Sequence, residues 1–286
     1  METVVRPAGR TLEYLVEGPE DGLALVLHHG TPGAAINRDG LFPPDVRLVL
    51  ISRPGYATST PNPGRDVASA AADTAAVLDA AGIAEFVTAG WSGGGPHALA
   101  CAALLPGRCL AAATIAGVAP SDAEGLDWLA GMGAANVEEF GAARAGAAKL
   151  QAFLHEAAGP LATVRAADVV EAFGDLVSEV DKRALREGFA DYLAASLRHA
   201  LSAGIDGWRD DDLAFCKPWG FALADIATPV SLWQGDQDRM VPFEHGRWLA
   251  AGLPKAEVHL VPGAGHVSLL SRIDQIVATL RRQAAG

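Results

Sequence analysis

Three residue types that together can open a carbonyl lie along this chain, each just past an apolar run: a serine between glycines, a pair of aspartates and a histidine. The serine is Ser92 in Gly90-Trp91-Ser92-Gly93-Gly94, directly after Phe86-Val87-Thr88-Ala89. Gly90 and Gly94 lack a Cβ, so the chain can double back sharply and hold Ser92 in a strained conformation with its hydroxyl clear of the preceding strand. After Pro96, the run Ala98 to Leu105 reads as a helix whose positive end would face an anion at the serine. A serine hydroxyl needs a base to take its proton and a third group to orient that base. The run Val230-Ser231-Leu232-Trp233 leads into Gly235-Asp236-Gln237-Asp238, which sets carboxylates at the C-terminal end of a predicted strand. Val258-His259-Leu260-Val261 leads into Pro262-Gly263-Ala264-Gly265-His266, so the histidine follows a strand too. The chemistry is acyl transfer: the serine attacks, the histidine moves the proton and a carboxylate holds the imidazole.

Serine, acid and histidine in this order, each beyond a strand, resemble the α/β-hydrolase family, and the likeness covers nearly the whole chain outside its middle. The resemblance implies Ser92 as nucleophile and His266 as general base. It implies Asp238 as the orienting acid, because Gly235 to Pro242 is similar to the family's G-x-x-D-x-x-V-P arrangement, and leaves Asp236 as a turn former. It also implies an oxyanion hole built from backbone amides. Gly93, just after the nucleophile, supplies one. The loop His28-His29-Gly30-Thr31-Pro32-Gly33 resembles the family's H-G-x-P-G loop, and Thr31 would give its amide rather than its hydroxyl. The segment Ser52-Arg53-Pro54-Gly55-Tyr56-Ala57-Thr58-Ser59 is similar to another that usually opens with aspartate; here Ser52 stands in that place, a departure at a structural turn. Trp91, the variable position of the serine turn, either walls a substrate pocket or packs beneath the turn.

The elements that must position these residues follow from apolar runs at Leu23 to Leu27, Val46 to Ile51, Phe86 to Ala89, Leu110 to Ile115, Val230 to Trp233 and Val258 to Val261. Helical stretches between several of them predict an α/β fold, a mostly parallel central sheet flanked by helices. Ile273, Ile276, Val277 and Leu280, at i, i+3, i+4 and i+7, predict a last helix with one buried stripe. Between Pro120 and about Phe215 the strand signals stop and the chain turns acidic and alanine-rich, which predicts an inserted helical cap over 120–215 on a core of 1–119 and 216–286. Val169, Phe173, Leu176 and Val180 fall on one helical face, as do Phe189, Tyr192, Leu193, Leu197 and Leu201. Ligand sites of open parallel sheets lie beyond the carboxyl ends of the strands, so this cap would roof the site. The run Asp210-Asp211-Asp212, past Trp208, is expected to be a solvated acidic loop. His28, His97, His155, His199, His245 and His259 have no partner by sequence and are given no role.

The 286 residues suit one α/β core plus an insertion. With 22 basic and 34 acidic side chains the net charge is −12, which argues against nucleic acid or an anionic membrane surface as partner. The N-terminus shows neither a secretory signal nor an anchor, and no apolar run is long enough to span a bilayer. Three cysteines, Cys101, Cys109 and Cys216, are too few for a disulfide framework and suit a cytoplasmic protein. No metal-ligand spacing and no nucleotide-binding glycine pattern appears, so no cofactor is expected. The expected function is a cofactor-free serine hydrolase acting on an ester or related acyl bond of a small molecule. The alternative within enzymes is an exopeptidase similar to prolyl aminopeptidases, in which cap carboxylates, here Glu138, Glu139 and Asp210 to Asp212, would anchor a substrate amine. Those peptidases usually carry tryptophan after the serine, where this chain has Gly93. The alternative of another class is a small-molecule binding protein or receptor on the same scaffold, without turnover. Substrate identity and oligomeric state are left open.

Overall fold

The computed structural model describes residues 1–6, 9–253 and 255–286. Its strands are β1 (Glu2–Val5), β2 (Thr11–Glu17), β3 (Leu23–His28), β4 (Val46–Ile51), β5 (Phe86–Trp91), β6 (Cys109–Ile115), β7 (Val230–Gly235) and β8 (Glu257–Val261). They form one sheet in the order β1-β2-β4-β3-β5-β6-β7-β8. The pairs β1–β2 and β2–β4 are antiparallel, and every other pair is parallel. The fold is therefore the mostly parallel sheet that the apolar runs predict. The two N-terminal strands escape that reading because β2 carries Glu13, buried at 2% exposure, in the middle of its apolar residues.

Parallel strands place their C-terminal ends on one edge. The residues that leave that edge are His28 from β3, Trp91 from β5, Gly235 from β7 and Val261 from β8, so four loops meet there. Helices α1 (Ser69–Ala80) and α2 (Gly94–Leu104) follow β4 and β5 in the chain. Nearly all of α2 is buried, so glycine, alanine and cysteine dominate it: larger side chains would hold it away from the sheet.

Between β6 and β7 the described residues form helices α3 (Ala134–Ala145), α4 (Ala147–Leu161), α5 (Val169–Phe173), α6 (Glu179–Ala184), α7 (Ala190–Ala200) and α8 (Asp206–Phe215). The stripe expected from Val169 to Val180 is not one helix. Gly174, at φ 51°, turns the chain out of α5, and Val177 runs extended and takes the buried place. The second stripe forms along α7, where Tyr192, Leu193 and Leu197 are buried. Helices α9 (Phe243–Gly252) and α10 (Ile273–Ala284) complete the molecule, and α10 buries Ile273, Ile276, Val277 and Leu280 as its period predicts. No helix among the described residues is long and apolar enough to cross a membrane.

Candidate active site

Ser92 sits at the turn between β5 and α2 with φ 58°, left-handed for a residue that has a Cβ. The turn is held by Ser92 N–H donating to Ile115 O at 2.9 Å and Gly95 N–H donating to Ser92 O at 2.9 Å. A Cβ on Gly90 would overlap the Gly94 carbonyl, and one on Gly94 would overlap that of His28, so both glycines are required by close backbone approach.

His266 is fully buried in the loop after β8, and its Nδ1 lies 2.8 Å from Asp238 Oδ2. The second oxygen of Asp238 accepts the amides of Met240 at 2.9 Å and Val241 at 2.8 Å, which fixes the carboxylate in the loop after β7. Asp236 is exposed and accepts the Gly263 amide at 2.7 Å, away from the imidazole. Of the two carboxylates that sequence offers, only Asp238 meets the histidine. His266 Nε2 has no hydrogen-bond partner among the described residues and lines the same cavity as Ser92. Trp91 lines that cavity and also donates its Nε1–H to His266 O at 3.0 Å, so it both walls the pocket and steadies the histidine loop. From the other side Asp181 of α6 accepts the amides of His266 at 3.0 Å, Val267 at 2.9 Å and Ser268 at 2.9 Å.

The amides of Thr31 and Gly93 donate to no protein acceptor among the described residues, and both residues line the cavity. A Cβ on Gly93 would strike Thr31 Oγ1, and one on Gly30 would lie 3.4 Å from Ser92 Cβ, so the loop after β3 runs beside Ser92. The cavity, about 290 Å³, is lined mostly by apolar groups, among them Phe140, Phe153, Leu161, Trp208 and Phe215.

The acidic run on α8 differs from the solvated loop expected of it. Successive helical residues are about 100° apart, so three in a row cannot share one face. Asp210, Asp211 and Asp212 are all buried. Asp210 pairs with Arg209 at 2.9 Å. Asp211 accepts from Arg53 at 2.6 Å, Arg65 at 2.6 Å, Tyr56 at 2.8 Å and Thr31 Oγ1 at 2.9 Å. Burial alone would raise its carboxyl, but the two guanidiniums outweigh burial and hold it well below the usual carboxylate range. Burial and the charge of Arg53 depress the neighbouring imidazoles, that of His28 to about 3, and leave His29 and His97 neutral. Asp212 instead faces Glu139 of α3 at the cavity wall, where burial and the facing carboxylate push it well above the usual range. Burial raises Glu139 to about 7, and Trp208 Nε1–H donates to it at 2.6 Å. Glu138 is exposed and outside the cavity.

Ser52, in place of the usual aspartate, accepts the Ala35 amide at 3.0 Å and donates to Glu13 at 2.8 Å, so the negative charge is supplied from β2. Burial would raise Glu13, but hydrogen bonds from His199, Thr58 and Ser52 bring it down to about 2. Sequence reasoning found the Ser52 departure but not the Glu13 that answers it, gave Arg53 and Asp181 no role, and took Asp211 only as part of an acidic run. The available signal was a run of adjacent acids on an amphipathic helix, which must divide between different environments.

A family model described as alpha/beta hydrolase fold matches residues 24–272. This chain belongs to the α/β-hydrolase family. The hydrolase is 30% identical over 279 residues to a pimeloyl-(acyl-carrier protein) methyl ester esterase of Xanthomonas oryzae pv. oryzae, a match covering 93% of this chain and 96% of that protein. It is 35% identical over 126 residues to a non-heme chloroperoxidase of Streptomyces lividans, covering 42% of this chain and 46% of that protein. Among solved structures, a thermophilic esterase from Thermogutta terrifontis matches with a TM-score of 0.69 at 19% identity over 100% of both chains. The esterase RhEst1 from Rhodococcus sp. ECU1013 matches at 0.68 and 21% identity over 100% of this chain and 98% of that one. At these identities the structural matches speak for the fold.

Proposed function

We propose that this α/β hydrolase is a cofactor-free esterase that cleaves a carboxylic ester of a small molecule through an acyl-enzyme. The observation that carries the reading is the 2.8 Å contact of His266 Nδ1 with Asp238 Oδ2, which leaves the ring's Nε2 without a partner among the described residues in a histidine that lines the cavity with Ser92. Ser92 Oγ attacks the ester carbonyl while Nε2 takes its proton. The imidazolium, stabilised by Asp238, then protonates the departing alkoxide. The amides of Thr31 and Gly93 hold the tetrahedral oxyanion, and water, deprotonated by His266, frees the acid. Helices α3 to α8, contributed by 120–215, act as a cap over the site. The apolar walls favour an uncharged acyl group or leaving group, and the methyl ester esterase among the relatives supports an ester in particular.

Glu139 and Asp212 favour a second reading, a substrate with an amine. Burial raises both carboxyls at the cavity wall, and both oxygens of Asp212 lack a hydrogen-bond partner among the described residues, so an ammonium group would find an acceptor there.

The test is burst and steady-state hydrolysis of short-chain p-nitrophenyl esters and of proline p-nitroanilide by the native chain and by Ser92→Ala. Repeated ester turnover that disappears in Ser92→Ala, with little anilide cleavage, supports the esterase. Dominant anilide cleavage favours the amine reading, and activity that survives Ser92→Ala overturns the serine mechanism. Tight binding of a single equivalent without turnover points instead to a binding protein.

A further inference from the structure

The oxyanion amide of Thr31 belongs to a loop that cannot orient itself: Gly30 and Gly33 give it freedom, and Pro32 offers no donor. A peptide N–H points opposite to the carbonyl of the same peptide plane, so whatever grips the Gly30 carbonyl aims the Thr31 amide. That carbonyl accepts from Arg53 Nη2 at 3.0 Å and lies 2.7 Å from His29 Nδ1. The Arg53 amide donates to His29 Nε2 at 3.3 Å, which assigns the ring proton to Nδ1 and makes both contacts to Gly30 O hydrogen bonds. Arg53 Nη1 holds the preceding carbonyl, that of His29, at 2.6 Å. The guanidinium therefore clamps two successive carbonyls of the loop.

A guanidinium clamps only as well as it is itself anchored. Arg53 is 3% exposed, and the fully buried Asp211 meets it through Nε at 3.1 Å and Nη2 at 2.6 Å. The same Oδ2 of Asp211 accepts the hydroxyl of Thr31 at 2.9 Å, and Arg53 Nη2 donates to that hydroxyl at 3.0 Å. Asp211 lies on α8, a helix of the proposed cap. The helix is seated there by Gly207, whose amide donates to Gly55 O at 3.1 Å and whose Cα leaves no room for a Cβ against Tyr56.

We propose that Asp211 is a positioning residue for the oxyanion hole: from the cap it anchors Arg53 and the Thr31 hydroxyl, and so aims the Thr31 amide at the oxyanion that forms beside Ser92. The inference rests on the serine-hydrolase reading above. It makes the cap part of the catalytic apparatus, because the helix that helps to wall the pocket also sets the angle of a donor in the core.

The experiment compares Asp211→Asn, Thr31→Val and Thr31→Ser with the native chain. Each is assayed for kcat and KM on a p-nitrophenyl ester, for inhibition by an alkyl trifluoromethyl ketone, whose adduct with Ser92 carries an oxyanion, and for thermal unfolding. Misaiming one donor should lower kcat and weaken the ketone together, by roughly 10- to 100-fold, with KM moving by less than about threefold. Thr31→Ser, which keeps a hydroxyl, should retain most of the native kcat. Asp211→Asn leaves two buried guanidiniums short of charge and can fail to fold. Thr31→Val then decides, since it keeps the amide and the charges and removes only the link. Folded Thr31→Val or Asp211→Asn with native kcat and native ketone affinity overturns the proposal, as does a loss of KM alone. If the native chain shows no Ser92-dependent turnover, the hydrolase reading falls first and this role falls with it.

Discussion

At the level of single residues, the proposed chemistry rests on which carboxylate meets the imidazole. Asp236 and Asp238 are two positions apart and have the same titrating group, yet one caps an exposed turn and the other is locked by two loop amides against His266. Asp238→Asn should therefore lower kcat by about 10⁴-fold, because an amide cannot hold the required imidazole tautomer or stabilise its cation. Asp236→Asn should leave kcat within about a factor of three, since its contact is to the Gly263 amide alone among backbone groups. Ester assays of the two variants side by side check this, and equal losses would contradict it. Ser92, His266 and the aspartate pair were legible because each follows an apolar strand. The choice within the pair rested on resemblance until the contact was seen.

At the level of elements, one helix from the stretch between β6 and β7 reaches each side of the candidate site. Asp181 of α6 receives three successive amides of the histidine loop, and Asp211 of α8 receives the arginine that grips the loop after β3. Asp181→Ala should cost about 1–3 kcal/mol, because it leaves buried amides without an acceptor. It should also lower kcat more than it raises KM, as the His266 backbone loses its tether. Urea unfolding and steady-state kinetics on the same sample read both effects. A native kcat at reduced stability would limit Asp181 to a structural part. The order of elements was readable from hydrophobic period. Their breaks were less so: the predicted face from Val169 to Val180 ignores Gly174, whose conformation ends α5 and hands the buried place to Val177.

For the whole molecule, two buried glutamates give folding stability opposite dependences on pH. Glu13 titrates near 2 when folded against 4.5 for the free group, so its contribution is complete above about 4.5 and is lost as pH falls toward 2. Glu139 is raised to about 7 from the same ordinary value, so the folded chain holds its proton more tightly and stability declines as pH rises from 4.5 to 7. Relative to the native chain, Glu13→Gln should be most destabilised at neutral pH, with the difference closing in acid. Glu139→Gln should gain relative stability steadily between pH 4.5 and 7. Denaturant midpoints of the three proteins at several pH values test both slopes, and parallel curves would remove the assignment.

The sequence by itself determined strands β3 to β8, the turn that carries Ser92 and the strand-end places of Gly93, Thr31, the Asp236–Asp238 pair and His266, because strand periodicity, glycine punctuation and strand-end position are local properties of the chain. Tertiary structure alone decided the rest. Asp211 lies 158 residues from Arg53 and 180 from Thr31, and Asp181 lies 85 from His266. No local pattern announces such partners. An acidic residue on a helix looks solvated until the fold removes water from it, and only then must its charge be answered by a guanidinium, by a row of amides or, for Asp212 and Glu139, by a proton.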